Sequence, residues 1–267
     1  MPHPSPADRE LRSALAGVRA LLLDLDGVIV LAGKPIPGSS QAVARLDDLG
    51  IPYRIVTNTS MVSRPTLARW AAGIGAAIPP ERFQSALSVA AAWAATRYPD
   101  QPLYVLASED ARGEFAGQRL LTHEEAARPD AQAAAVIIGD SPEDATWDNL
   151  NRAFRLVRRG AQLVGMHKNR WWLTPEGPTL DSGAFVAGLE FAASTRAHIV
   201  GKPSLDFFRS AARDLAAEVR ARGEPPLRRN EIAMVGDDVW SDALAPRRAG
   251  MRGILVLTGK HGEDELA

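Results

Sequence analysis

Ala20-Leu21-Leu22-Leu23-Asp24-Leu25-Asp26-Gly27-Val28 is a short apolar run that ends on two carboxylates. Packing gives such a run no reason to stop on charge, because charged groups are rarely buried unless paired or bound to metal. A buried strand that delivers two aspartates into a crevice at its carboxyl end offers a nucleophile, a metal ligand or both. The competing reading is a polar turn after a strand, since Asp-Gly is a common turn pair. How the other strands end decides between the two.

Working outward, short β-like runs alternate with helical patterns. Gly38-Ser39-Ser40 leads into Val43, Leu46 and Leu49 at helical spacing, and Gly50 stands where a C-terminal cap belongs. Tyr53 to Val56 reads as a second strand that ends on Thr57-Asn58-Thr59-Ser60, after which Ser63 and Pro65 suit the opening of a helix. This order predicts a parallel, doubly wound sheet. The same style returns near residue 197 with His198-Ile199-Val200-Gly201-Lys202-Pro203, read as a core strand, and a long helix from Ser204. Ile232-Ala233-Met234-Val235-Gly236-Asp237-Asp238 follows, and Gly253 to Leu257 supplies one more strand.

The stretch between these halves differs. Leu103 to Leu106, Val136 to Ile138 and Leu163 to Met166 read as strands, and Trp147, Leu150, Phe154 and Val157 mark one face of a helix that Gly160 ends. No strand here ends on a tight pair of aspartates; Gly139-Asp140 comes nearest and reads as a loop. The expected fold class is therefore α/β: a doubly wound, Rossmann-like core of residues 1–100 and 197–267, with a smaller α/β cap inserted at 101–196. The proline-rich start, within residues 1–15, is expected to be a flexible tail.

Composition narrows the function. The 267 residues are 46% hydrophobic, and 31 basic residues against 32 acidic leave a net charge of −1. That balance gives no support to a nucleic-acid or membrane-surface role. No cysteine is present, which removes thiol nucleophiles, disulfides and cysteine zinc sites. The start lacks a basic-then-apolar leader pattern, and no uncharged apolar run approaches the roughly 18 residues that would span a bilayer. A soluble cytoplasmic protein is expected.

Four expected core strands end on reactive or charged groups: Asp24 and Asp26; Thr57 and Asn58; Lys202; and Asp237 and Asp238, with Asp242 close behind. In an open parallel sheet such ends converge on one crevice. Clustered carboxylates repel one another and call for a cation. Oxygen ligands without His or Cys suit a hard ion, Mg²⁺ before Zn²⁺. Lysine and the threonine hydroxyl would hold an anion such as phosphate. The set describes metal-assisted phosphoryl chemistry on a small phosphorylated substrate.

Asp24-Leu25-Asp26-Gly27-Val28, Thr57-Asn58, Gly201-Lys202-Pro203 and Gly236-Asp237-Asp238-x-x-x-Asp242, in this order, resemble the four motifs of haloacid dehalogenase superfamily phosphatases. The insertion between the second and third resembles the large α/β cap of the subfamily that includes phosphoglycolate and pyridoxal phosphate phosphatases. Asn151 to Leu156, His167 to Trp172, Leu180-Asp181-Ser182-Gly183 and Arg252 to Lys260 further resemble the branch holding phospholysine phosphohistidine inorganic pyrophosphate phosphatase. The resemblance covers about residues 18–262. Two departures stand out: Ala245-Pro246-Arg247-Arg248 replaces the usual small residues and Gln, and the chain ends soon after Gly259-Lys260.

The resemblance implies roles that agree with the chemistry. Asp24 attacks phosphorus and Asp26 protonates the leaving group, then activates water. Asp24, the main-chain carbonyl of Asp26 and Asp237 hold Mg²⁺; Asp242 orients this shell, and Asp238 shares that task. Thr57, the Asn58 main-chain N–H and Thr59 bind phosphoryl oxygens, and Lys202 neutralises nucleophile and phosphate. In the cap, His167 and Lys168 are candidates for substrate selection. Trp171 and Trp172 read as cap core or interface rather than as substrate platforms, and a homodimer through the cap is allowed. Arg158-Arg159 and Arg247-Arg248 read as solvated faces. Asp26 argues against a dehalogenase, which needs no leaving-group acid. The cap's position argues against the usual mutase form, and the intact motifs argue against a non-catalytic binding module.

Overall fold

The computed structural model describes residues 13, 15–174 and 176–259. Most of the tail expected at 1–15, and Lys260, lie outside the described residues. In chain order the main strands are β1 (Ala20–Asp24), β2 (Tyr53–Thr57), β3 (Phe83–Ser85), β4 (Leu103–Leu106), β5 (Ala135–Ile138), β6 (Gln162–Gly165), β7 (His198–Ile199), β8 (Ile232–Gly236) and β9 (Arg252–Leu255). The principal helices are α1 (Ser39–Asp48), α2 (Arg64–Gly73), α3 (Ala86–Arg97), α4 (Trp147–Arg158), α5 (Gly183–Ala193) and α6 (Leu205–Ala221).

The core sheet has the order β9-β8-β1-β2-β3 and the cap sheet the order β7-β6-β5-β4, with every pairing parallel. From β1 the chain winds outward through β2 to β3, and it later resumes on the other flank with β8 and β9. The winding therefore reverses between β1 and β8, the place where an open α/β sheet binds its ligand.

Both faces of the core sheet are covered, which is why β1 is apolar from Ala20 to Leu23 instead of alternating. Leu22 packs with α3 and α6 on one side, while Leu23, Tyr53 and Ile55 pack with Val43 of α1 and Leu67 of α2 on the other. Full burial of side chains such as Leu22 and Ile55 contributes roughly 1.5–3 kcal/mol each. Helix α3 lies between the two sheets. Its alanines 86, 90, 91 and 94 are buried in one cluster with Leu103, Val105 and Ile137 of the cap. A helix apolar all round is what such a doubly packed position requires. The outer face of the cap sheet is closed by Ala153 and Leu156 of α4 and Val186 and Leu189 of α5.

Local signals place the helix ends. The Ser63 hydroxyl caps α2 with Pro65 just inside, Ser204 caps α6, and Gly50 and Gly160 follow α1 and α4 with positive φ. Arg158, Arg159, Arg247 and Arg248 are exposed, and Pro246 is buried in the first turn of the short helix Ala245–Arg248.

Three readings need correction. His198–Ile199 pairs with β6 and is the edge of the cap sheet, so Lys202 follows a cap strand and not a core strand. Trp147 begins α4 on its outer side, 79% exposed, because the helix buries Asn149, Ala153, Leu156 and Val157 instead. Trp171 and Trp172 belong to the hairpin Trp171–Thr174/Gly177–Leu180 and are 56% and 44% exposed, so they are not cap core. No helix among the described residues is long and apolar enough to cross a membrane.

Candidate active site

At the carboxyl end of β1 the chain must turn sharply. Asp24 stays buried, its Oδ1 accepting the Leu25 N–H at 2.8 Å. Gly27 then takes φ 77°, and its N–H reaches the Val30 carbonyl at 2.6 Å. A side chain at Gly27 would run into the carboxyl of Asp237 as well as strain the backbone. Glycine here thus lets the β1 loop and the β8 carboxylate close on each other. Asp26 is left exposed at the mouth.

The end of β8 supplies the facing wall. Asp238 caps the turn that follows, its Oδ1 accepting the N–H groups of Trp240 and Ser241 at 2.9 and 3.0 Å. That turn brings Asp242 back beneath Gly236, fully buried, with its Oδ2 accepting the Asp238 N–H at 3.2 Å. Asp238 therefore shapes the loop that presents Asp237 and Asp242.

Lys202 enters from the cap side. The Gly201 N–H bonds the Met166 carbonyl at 2.8 Å, and a Cβ on Gly201 would press on that carbonyl and on Asn58. The Asn58 side chain then grips the Lys202 backbone at both ends: Oδ1 accepts its N–H at 2.8 Å and Nδ2 donates to its carbonyl at 3.0 Å. Sequence reasoning gave Asn58 only a main-chain role and missed this clamp, which joins residues 144 apart in the chain. Buried Lys202 Nζ lies 2.8 Å from Asp24 Oδ2 and 2.9 Å from Asp242 Oδ1.

Asp24, Asp237 and Asp242 offer carboxylate oxygens that all lie within 4.8 Å of one another. Burial pushes the Asp24 carboxyl well up; Lys202 opposes that shift and Asp242 reinforces it. Burial alone would lower the Lys202 pKa, but the two carboxylates hold its ammonium well above the usual range. Asp26, though open to solvent on one side, is raised by desolvation of its carboxyl and by Asp237, against the pull of Lys202. Three acids thus share one ammonium, and an all-oxygen set with excess negative charge fits a hard divalent cation. Buried Thr57 accepts the Thr59 N–H on Oγ1 at 3.1 Å, a contact that leaves its hydroxyl proton to donate. Thr59 is half-buried beside it.

The two cap candidates part company. His167 is buried, with Nε2 at 2.8 Å from Asp140 and 3.7 Å from Asp181. Burial lowers its pKa, but Asp140 and then Asp181 raise it to a net upward shift. Protonation would give up only a weak 3.3 Å bond from the Asn169 N–H to Nδ1. Lys168 is at the surface, pairs with Glu190 at 2.5 Å, and lines with Asn169, Lys202 and Pro203 a cleft of about 590 Å³. The Asp140–Asp181 pairing on His167 had no signature in the sequence beyond the Gly139-Asp140 loop.

Comparison with known proteins follows the same geometry. A family described as haloacid dehalogenase-like hydrolase matches residues 21–120, and a second, HAD-hydrolase-like, matches 199–267. Haloacid dehalogenase-like hydrolase domain-containing protein 2 of Bos taurus is 33% identical over 244 residues, covering 91% of this chain and 86% of the relative. Phospholysine phosphohistidine inorganic pyrophosphate phosphatase of Homo sapiens is 32% identical over 252 residues, covering 92% and 85%. Among solved structures, a thermostable double-mutant NPPase from Geobacillus stearothermophilus superposes with a TM-score of 0.81 at 26% identity, covering 93% of this chain and 92% of that one.

Proposed function

This chain belongs to the haloacid dehalogenase-like hydrolases, and within that family we propose that it is a Mg²⁺-dependent phosphatase of a small phosphorylated molecule. The observation that carries this reading is the Lys202 ammonium held between Asp24 and Asp242 beside Asp237, at the switch point of the core sheet. The names of the human and Geobacillus relatives support it.

Asp24 attacks phosphorus through a carboxylate oxygen and carries the phosphoryl group as an aspartyl-phosphate. Asp26, with its raised pKa and open position, gives its proton to the leaving oxygen and then takes one from the water that hydrolyses the intermediate. Thr57, the Asn58 N–H and Thr59 bind phosphoryl oxygens, and Lys202 offsets the charge of both nucleophile and phosphate. Asp24, the Asp26 carbonyl and Asp237 would hold Mg²⁺, with Asp242 and the Asp238-capped turn fixing their placement. When bound, the ion supplies neutralisation of the like charges of carboxylate and phosphate.

Selection among pyrophosphate, phosphoramidates and phosphomonoesters falls to the cap, since the core residues surround only the phosphoryl group. Lys168, which lines the cleft beside Lys202, is the cap residue best placed for that task. An assay with p-nitrophenyl phosphate tests the reading. Activity should require Mg²⁺, vanish with EDTA, and be inhibited by Ca²⁺, whose looser coordination lets Asp24 chelate instead of attack. Full turnover by metal-free protein would overturn it.

A further inference from the structure

Three residues beyond Thr57, the loop that follows β2 reaches Ser60, a wholly buried serine. Its partners come from the cap. The Ser60 hydroxyl donates to Asp140 Oδ2 at 2.8 Å and accepts the Asp140 N–H at 2.7 Å, so one residue of the cap closes on it twice. This approach needs Gly139. A Cβ there would lie 3.1 Å from Ser60 Oγ and 2.7 Å from Met166 Sδ.

Asp140 is itself held. His167 Nε2 stands 2.8 Å from the same Oδ2, and 3.3 Å from the Ser182 hydroxyl at the start of α5. Desolvation works against ionised Asp140, yet the hydrogen bond and charge of His167 keep its pKa well below the usual carboxylate range. Asp140 follows β5, His167 follows β6, and Ser60 follows β2, so the cluster is where the cap sheet is fastened to the core loop.

Neighbouring contacts run the same way. The Ser108 hydroxyl donates to the Met61 carbonyl at 2.7 Å, and Asp110 accepts from the Ser63 N–H at 2.7 Å. The loop that carries Thr57, Asn58 and Thr59 is thus anchored on its far side by the cap. Of these anchors the Ser60–Asp140–His167 cluster is the nearest in sequence to the phosphate-binding residues. An aspartate that bonds one hydroxyl through both its backbone N–H and its side chain leaves that hydroxyl little freedom.

We propose that Asp140 and His167 are positioning residues that hold Ser60, and through Ser60 fix the Thr57–Thr59 loop for binding phosphate, so that the cap sets the phosphate affinity of the core. This rests on the phosphatase reading, in which that loop grips the phosphoryl group.

The test is the inhibition constant of inorganic phosphate for the Mg²⁺-loaded enzyme turning over p-nitrophenyl phosphate. Ser60→Ala and Asp140→Asn should each raise it about tenfold, the scale of one charge-assisted hydrogen bond. Because the Asp140 side chain acts through Ser60, the double variant should show the Ser60→Ala change and not the product of the two. His167→Gln, which keeps an N–H near the Nε2 position, should stay within about twofold of wild type, whereas His167→Ala should rise several-fold. The inhibition constant reports on folded molecules only, so a purely structural role would lower total activity and leave it unmoved. Unchanged constants in the single variants, an additive double variant, or equal constants for His167→Gln and His167→Ala would overturn the proposal. If Asp140→Asn does not fold, the two His167 variants decide it. A wild-type enzyme without Mg²⁺-dependent turnover would instead overturn the phosphatase reading, on which the proposal depends.

Discussion

In the core, Asp24 and Asp242 close on the ammonium of Lys202, whereas in the cap Asp140 and Asp181 close on the imidazole of His167. Both gather acids around one buried nitrogen base, but their surroundings differ. The core cluster has the larger excess of acid, since Asp237 adds a third carboxylate, and Asp26 beside it opens to solvent. Asp24 and Asp242 hold Lys202 as a cation well above the usual lysine range. The cap cluster is bonded to the hydroxyls of Ser60 and Ser182, though Asp140 Oδ1 is left without a partner, and its base is a cation only when protonated. A cluster that opens to solvent at a sheet's switch point can receive a ligand; one that joins a core loop to the cap sheet holds the two together.

Breaking the core cluster should cost chemistry before it costs fold. Asp24→Asn preserves an oxygen for Lys202 but cannot attack phosphorus, so turnover should fall by at least about 10³-fold with the folded state retained. Steady-state rates and a thermal melt on the same sample check this. Wild-type-like turnover would make the cluster an ion-pair network and not a catalytic one.

The next effect sharpens the difference between Asp24 and Asp26. Asp26→Asn should slow hydrolysis by about 10²–10⁴-fold for an alkyl phosphate, whose leaving group needs a proton. It should slow p-nitrophenyl phosphate much less. Equal losses on the two substrates would remove Asp26 from the acid role.

The smallest effect belongs to the cap. The His167 pKa is raised above its unfolded value, so its stabilisation is complete below about pH 6.5 and is lost as pH rises through the folded value. Asp181, pushed up to about 6 chiefly by burial and then by Asp140, loses its contribution between its unfolded value of about 3.9 and that point. Wild-type Tm should therefore fall from pH 5 to pH 8 relative to His167→Gln, by a few degrees at most. Parallel Tm curves for the two proteins would show that His167 does not change charge with folding.

Much of this comparison was legible in the sequence, and the exceptions have physical causes. An apolar strand that ends on Asp24-Leu25-Asp26, and another that ends on Gly236-Asp237-Asp238, announce themselves because burial and charge conflict. The parallel order of the core followed from the strand–helix alternation. β7 was misplaced because two residues, His198 and Ile199, carry no mark of which sheet they will join; the pairing with β6 is settled by the whole cap. β3 has no sequence signal because it is three residues long and holds Gln84, whose Nε2 donates to the distant Phe207 carbonyl at 2.9 Å while its Oε1 is left without a partner. Asn58 and Asp140 were underread for the same reason. Their partners, Lys202 and Ser60, lie 144 and 80 residues away, and periodicity reports only on neighbours.

In the proposed mechanism Asp24 carries the phosphoryl group during turnover. Acid-quenching the Mg²⁺-loaded enzyme during turnover of p-nitrophenyl phosphate, followed by peptide mass spectrometry, tests it directly. A phosphoryl group is expected on the peptide that contains Asp24, and none on that peptide in Asp24→Asn. Turnover with the phosphoryl group on another residue, or undiminished in Asp24→Asn, would contradict it.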